Sequence, residues 1–294
     1  MNGIIRFIPN LLTLGNALMG VWAIVFIARE QMVSAVVCIA IALVLDFFDG
    51  FVARLLNAQS EIGVQLDSLA DAITFGVVPG LMVFQMIIIS EGYYFVDITQ
   101  WPFWLMAKAS VAGLIPLAAI YRLAKFNVIT EKLPHFKGLP TPAMTMFIVS
   151  IPLLLESNYH LNFYHPLSAD FIQMLGEVRR WDASDIWLVG VMFDPTTYLI
   201  VSVAMALLMV SNVPMLSLKF EGLAWQKNKW RYAILIWVAV CYIIFIIPYL
   251  WSLPFSYGLI DYLILPIFML GYFLLSFIYA TFGAAKQTTD EVQS

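Results

Sequence analysis

Apolar runs about 20 residues long recur along this chain, and they limit its folds more than any other feature. One reads LLTLGNALMGVWAIVFIA from Leu11 and another ILPIFMLGYFLLSFIYA from Ile264. A run of that length matches the hydrocarbon thickness of a bilayer crossed as an α-helix. Within lipid every backbone N–H and C=O must be paired inside the protein, so such runs predict helices and no open sheet. Composition agrees. Of the 294 residues 62% are hydrophobic and 12% charged, where a soluble domain has about 25% charged, and the mean hydropathy is +0.88.

Eight spans are expected, at about 9–28, 32–55, 64–90, 104–126, 139–156, 196–217, 231–251 and 258–282. The fold class is therefore an all-α polytopic transmembrane bundle. The first run lacks a small-residue cleavage site and reads as a retained helix. An even count puts both termini on one side. With the termini inside, Arg6, Arg54, Arg122, Lys125, Lys132, Lys137, Lys219, Lys227, Lys229, Arg231 and Lys286 fall inside, and Arg29, Lys108, Arg179 and Arg180 fall outside. Cytoplasmic loops carry the excess of Lys and Arg, so both termini are expected in the cytoplasm and the protein in the inner cell membrane. Residues 157–195 form the only long loop in this layout, on the outer side, and 286–294 a polar tail. Cys38 and Cys241 lie inside apolar runs, which points to inert buried thiols. The formal charge of -4 shows no basic patch for nucleic acid.

Against this apolar background the stretch LDFFDGFVARLLNAQSEIGVQLDSLAD, from Leu45 to Asp71, carries four aspartates. Asp46 and Asp49 are three apart, Asp67 and Asp71 four apart, so each pair shares one helical face. The polar segment NAQSEIG between them suits a turn joining antiparallel helices, and the pairs can converge. Asp46 precedes Arg54 by eight residues, which places it about 12 Å deeper along the axis. Ionised carboxylates brought together in a partly dehydrated place repel one another. Protonation or a divalent cation relieves this, and an all-oxygen donor set favours Mg²⁺ or Mn²⁺. Two such ions can clamp a phosphoryl group. Gly50 opens the helix wall to a phosphate, and Arg54 offers it a planar fork. A proton or ion pathway, as in a cation-coupled transporter, and a purely structural role for the acids stay open from spacing alone.

The spacing Asp46-x2-Asp49-Gly50-x2-Ala53-Arg54-x8-Gly63-x3-Asp67-x3-Asp71 resembles the signature of the CDP-alcohol phosphotransferase family at every fixed position. Within that family PNLLTLGN (from Pro9), LDSLADAITFGVVPG (Leu66), RLAKFNV (Arg122), FKGLPTPA (Phe136) and LMVSNVPMLSLK (Leu208) are similar to the CDP-diacylglycerol–serine O-phosphatidyltransferases. Lys125 departs from the arginine expected in an RLARFN pattern; it keeps the charge and loses the bidentate fork.

The resemblance implies a six-helix catalytic core over residues 1–220, two additional helices over 221–285, and a homodimer. It implies CDP-diacylglycerol and L-serine as substrates, with phosphatidylserine and CMP as products. Asp46, Asp49, Asp67 and Asp71 match the metal-binding aspartates, holding Mg²⁺ or Mn²⁺ as a pair of ions. Asp71 matches the general base. Gly50, Ala53, Arg54 and Gly63 match positions that bind CDP-diacylglycerol. Serine is a zwitterion and needs a cation for its carboxylate. Arg122, Lys125, Asn127 and Lys137 are the candidates, against the plainer reading that these charges only enforce topology. Glycerol 3-phosphate and inositol phosphate are the competing acceptors, because the signature handles only the shared CDP half. Thr13 and Asn16 either hydrogen-bond between helices or line the nucleotide pocket.

Overall fold

The computed structural model describes residues 3–93, 95–128, 136–159, 169–179, 183–216, 225–250 and 259–282. The polar tail, the three histidines and the side chains of Arg6, Lys132, Arg179, Arg180, Lys219, Lys227 and Lys286 lie outside the described residues. The helices are α1 (Gly3–Ala28), α2 (Met32–Leu55), α3 (Glu61–Asp71), α4 (Val78–Ser90), α5 (Phe103–Ser110), α6 (Leu114–Val128), α7 (Thr141–Tyr159), α8 (Ala169–Arg179), α9 (Ala183–Phe193), α10 (Pro195–Val210), α11 (Trp225–Leu250) and α12 (Leu259–Phe282).

Each of the eight expected spans holds a helix. Among the described residues five helical stretches, Phe7–Ala28, Met32–Leu55, Glu61–Ser90, Phe103–Val128 and Ile264–Thr281, are long and apolar enough to cross a membrane, and α9 with α10 makes a sixth if the bent pair is one span. The protein is a multi-pass membrane protein. The third stretch is the axis of the bundle: 67% of its most apolar window is buried, against 28–33% for the other four. Those four turn large apolar side chains such as Leu18, Val44, Leu117 and Leu274 outward, as lipid-facing helices do.

Two expectations need correction. Residues 157–195 are not simply a loop, because they contain α8 and α9. The sixth span does not run to residue 217: α10 stops at Val210, and Pro214–Met215 forms a strand, β2, antiparallel to β1 (Phe136–Lys137). α9 and α10 meet at 65°. Asp194 sits before Pro195, which disfavours helical backbone, and its side chain caps the Thr196 amide at 2.8 Å.

The axial helix is interrupted too. Between α3 and α4, Ala72–Val77 is wound as a π-helix. Pro79 has no N–H to give to the Phe75 carbonyl four residues back. The Thr145 hydroxyl of α7 lies 3.1 Å from that oxygen and 2.9 Å from the Thr141 carbonyl, so one proton serves two acceptors. Glycines let neighbours close on this segment: a Cβ on Gly20 would lie 2.5 Å from Thr74 Oγ1, and one on Gly80 2.7 Å from Pro116 Cδ.

Candidate active site

The acidic site is built by the α2–α3 hairpin. Asn57 ends α2 in the left-handed region (φ 48°). The Ala58 amide donates to Ala53 O at 2.9 Å and the Asn57 amide to Arg54 O at 3.3 Å, the paired bonds of a helix stop that asparagine tolerates. Ser60 then starts α3 by accepting from the Gly63 amide at 3.1 Å. So short a reversal turns α3 back on the same side of the bundle, and α1 packs against both α2 and α3. Asp46, Asp49 and Asp67 each present a carboxylate oxygen within 4.8 Å of the others. Asp71, one turn beyond Asp67, lies outside that group of three, and the Asp46 carboxyl is within hydrogen-bonding reach of both Asp67 and Asp71.

The first helix supports the acids from the other side. Thr13 Oγ1 donates to Asp49 Oδ2 at 2.5 Å, and Asn16 Nδ2 to Asp71 Oδ1 at 3.3 Å. Both side chains are buried, and Asn16 Oδ1 has no partner among the described residues. The Asn16 carbonyl in turn accepts from Thr74 Oγ1 at 3.2 Å, which ties α1 to the π-helical turn after Asp71. Of the two readings open for Thr13 and Asn16, inter-helix bonding holds for both, and Thr13 also lines the cavity described next.

A cavity of about 690 Å³ opens beside the acids. It is lined by Asp49, Gly50, Ala53, Arg54, Gly63 and Asp67, with Pro9, Asn10 and Thr13 from α1 and Ser60 and Glu61 from the turn. A Cβ on Gly50 would meet nothing within 4 Å, so the α2 backbone is bare to the cavity there. Arg54 Nε donates back to Gly50 O at 3.0 Å, which anchors the stem of its guanidinium.

A second, small cavity of about 20 Å³ lies among Arg122, Lys125, Phe126, Lys137, Met209, Val210 and Ser211. Three of the four acceptor candidates therefore meet in one place. The fourth does not: Asn127 accepts from Ser68 Oγ at 3.1 Å and donates to Gln65 Oε1 at 3.4 Å, clasping α6 to α3. Arg122 is buried with its guanidinium 4.5 Å from the Phe126 ring centroid, and its Nε has no partner among the described residues. Its charge is close enough to Asp71 to interact with it, and Tyr272 of α12 stands nearby. Lys125 Nζ lies 3.5 Å from Asn212 Oδ1. Ser211, Asn212 and Tyr272 were not among the sequence candidates. The first two stand within the LMVSNVPMLSLK stretch, whose place beside β1 carried the missing signal.

The sequence profile of the CDP-alcohol phosphatidyltransferase family matches residues 6–243. The chain belongs to that family. It is 38% identical over 147 residues to the CDP-diacylglycerol–serine O-phosphatidyltransferase of Bacillus subtilis, covering 49% of this chain and 74% of that protein. It is 35% identical over 172 residues to the enzyme of that name from Helicobacter pylori, covering 57% and 67%. With the archaetidylserine synthase of Methanothermobacter thermautotrophicus it shares 31% over 170 residues, covering 57% and 64%.

A divalent cation fits the acidic cluster of this family member. Two like charges at such separations repel by about 3 kcal/mol at an effective dielectric of about 20. Asp46, Asp49 and Asp67 offer one oxygen each at mutual distances a single cation can bridge, and oxygen donors suit a hard ion. Among the described residues no other group of three His, Cys, Asp or Glu side chains comes as close.

Proposed function

We propose that this protein transfers the phosphatidyl group of CDP-diacylglycerol to the hydroxyl of L-serine, giving phosphatidylserine and CMP. One observation carries the reading: Asp46, Asp49 and Asp67 bring carboxylate oxygens within 4.8 Å of one another beside the cavity that Gly50, Ala53, Arg54 and Gly63 line. The names of the relatives support serine as the acceptor.

In this reading the large cavity takes the CDP end of the lipid. Gly50 and Ala53 let the pyrophosphate approach the α2 backbone, Gly63 lets α3 close on it, and Arg54 pairs with a phosphate through its fork. Asp46, Asp49 and Asp67, with Asp71, would hold Mg²⁺ or Mn²⁺ as a pair of ions, which would supply positive charge against the pyrophosphate and CMP. Arg122, with Lys125 and Lys137 beside it, receives the serine carboxylate. Asp71, held by Asn16, takes the hydroxyl proton as the oxygen attacks the phosphorus that bears diacylglycerol; the bond from that phosphorus to the CMP oxygen breaks. Asn127 acts by fixing α6 to α3.

Residues 1–220 form the catalytic core in this proposal, 221–285 add two helices, and the protein is a homodimer of the inner membrane with both termini in the cytoplasm. The active site then opens to the side that holds CDP-diacylglycerol headgroups and free serine.

The test is purified protein with CDP-diacylglycerol, Mg²⁺ or Mn²⁺, and serine, glycerol 3-phosphate or inositol phosphate, following CMP release and the lipid product. Serine-dependent CMP with phosphatidylserine as product is expected. CMP released only with another acceptor overturns the serine assignment, and no CMP with any acceptor overturns the enzyme reading.

A further inference from the structure

α12 lies beyond the signature and beyond residues 6–243, yet two of its side chains reach the cationic cavity's frame. Tyr272 Oη donates to the Leu216 carbonyl at 3.1 Å, and Ser276 Oγ accepts from the Leu216 amide at 3.4 Å. Four residues apart, these hydroxyls share a helical face and hold both polar groups of one peptide residue. Tyr272, Ser276 and Leu216 are all buried. A buried carbonyl and amide released together would each lack a partner, so the clasp matters more than an exposed bond would.

Leu216 follows β2 directly. The ladder pairs Phe136 with Met215 and Lys137 with Pro214. The Gly138 amide donates to Val213 O at 2.9 Å, and the Leu139 amide to Leu208 O at 3.0 Å. Two residues per strand make a ladder too short to hold itself. Lys137 thus owes its place in the cavity to β2, and β2 is held from behind by Tyr272 and Ser276. The same tyrosine stands near Arg122, the buried cation of that cavity.

We propose that Tyr272 is a positioning residue for the acceptor site: the last helix, through Tyr272 and Ser276, fixes the β1–β2 ladder and so sets Lys137 against Arg122. This rests on the reading of the cationic cavity as the acceptor carboxylate site.

The test uses the full-length protein with Tyr272→Phe, which keeps the ring and removes the donor, and Ser276→Ala as a second variant. Hydrogen exchange over residues 136–139 and 213–216 is measured alongside the serine KM, the CDP-diacylglycerol KM and kcat. Faster exchange at Gly138 is expected, with a rise in serine KM of about fivefold, while kcat and the CDP-diacylglycerol KM hold within about twofold. Tyr198→Phe, which removes a buried hydroxyl bonded to the Met192 carbonyl elsewhere in the bundle, is expected to leave the serine KM unchanged. Unaltered exchange and serine KM in both α12 variants overturn the proposal; so does an equal shift of both KM values, or the same serine effect from Tyr198→Phe. If serine supports no CMP release from the unaltered protein, the acceptor reading fails by itself, and faster or unchanged exchange still decides whether α12 holds the ladder.

Discussion

Asn16 donates its amide hydrogen to Asp71 Oδ1 at 3.3 Å, from a helix that begins the chain to one that lies 55 residues later. The same asparagine accepts Thr74 Oγ1 at its main-chain carbonyl. One residue therefore holds both the last signature aspartate and the π-helical turn that follows it. Asp71→Asn is expected to lower kcat by about 10²–10⁴-fold, the usual worth of a general base, with CDP-diacylglycerol binding kept. Asn16→Ala is expected to lower kcat by about tenfold or more through loss of orientation. CMP release and lipid binding, measured on both variants, check this; wild-type turnover in Asp71→Asn would falsify the base assignment.

Repulsion within the acidic cluster gives a prediction that does not depend on turnover. Asp46→Asn removes one charge from a crowded, partly buried set, so the variant is expected to melt higher than the parent protein in chelator. The same change removes a cation ligand, so the rise in Tm on adding Mg²⁺ or Mn²⁺ is expected to shrink. Thermal unfolding with and without metal reads both effects, and chelation of the parent protein is expected to stop CMP release until either ion is restored. A parent Tm indifferent to both ions sinks the metal assignment.

Thr13 holds Asp49 through a short hydrogen bond. Thr13→Val keeps the shape and removes the donor. A loss of about 10–100-fold in metal affinity is expected, the range for partners that orient a ligand. Thr13→Ser, which restores the hydroxyl, is expected to recover most of it. Activity titrated against Mg²⁺ measures both, and equal behaviour of the two variants counts against an orienting hydroxyl.

Gly50 separates stability from binding. A Cβ there meets no atom within 4 Å, and alanine favours a helix over glycine by about 1 kcal/mol. Gly50→Ala is expected to unfold no more easily than the parent, yet to raise the CDP-diacylglycerol KM because the methyl enters the cavity. A KM equal to that of the parent removes Gly50 from the lipid site.

Gly138 is the reverse case. Its φ of +73° is in the left-handed region, and a Cβ would lie 2.5 Å from Met209 O and 2.9 Å from Ser211 O. Gly138→Ala is expected to cost about 2 kcal/mol or more and to raise the serine KM without moving that of CDP-diacylglycerol. Thermal unfolding with paired KM measurements tests this, and a variant as stable as the parent contradicts the close approach.

The acidic hairpin is legible in the sequence. Positions three and four apart on a helix share a face, and the NAQSEIG segment suits a short reversal, so the pairs Asp46/Asp49 and Asp67/Asp71 could converge. Asp46, Asp49 and Asp67 do meet, and Asp71 lies outside that group. Membrane class and helical architecture followed as directly, because lipid leaves an apolar chain no other way to pair its backbone. The α8 and α9 helices were harder to see, since residues 157–195 mix polar and aromatic residues without a clean period. The end of α10 at Val210 was hidden because the apolar run continues to Leu218 while the backbone leaves the helix to pair with β1.

What the sequence determined by itself was chemistry within about 25 residues: the acid cluster, the open wall at Gly50 and the arginine beside it. Tertiary structure alone decided which distant groups serve that chemistry. Asn16 reaches Asp71, Lys137 meets Pro214, and Tyr272 clasps Leu216 across 56 residues. It also separated Asn127 from Arg122, Lys125 and Lys137, although Asn127 shares a helix with two of them. Local periodicity fixes which residues share a face. Only packing fixes which face each one meets, because many pairings bury similar apolar area and the few buried hydrogen bonds choose among them.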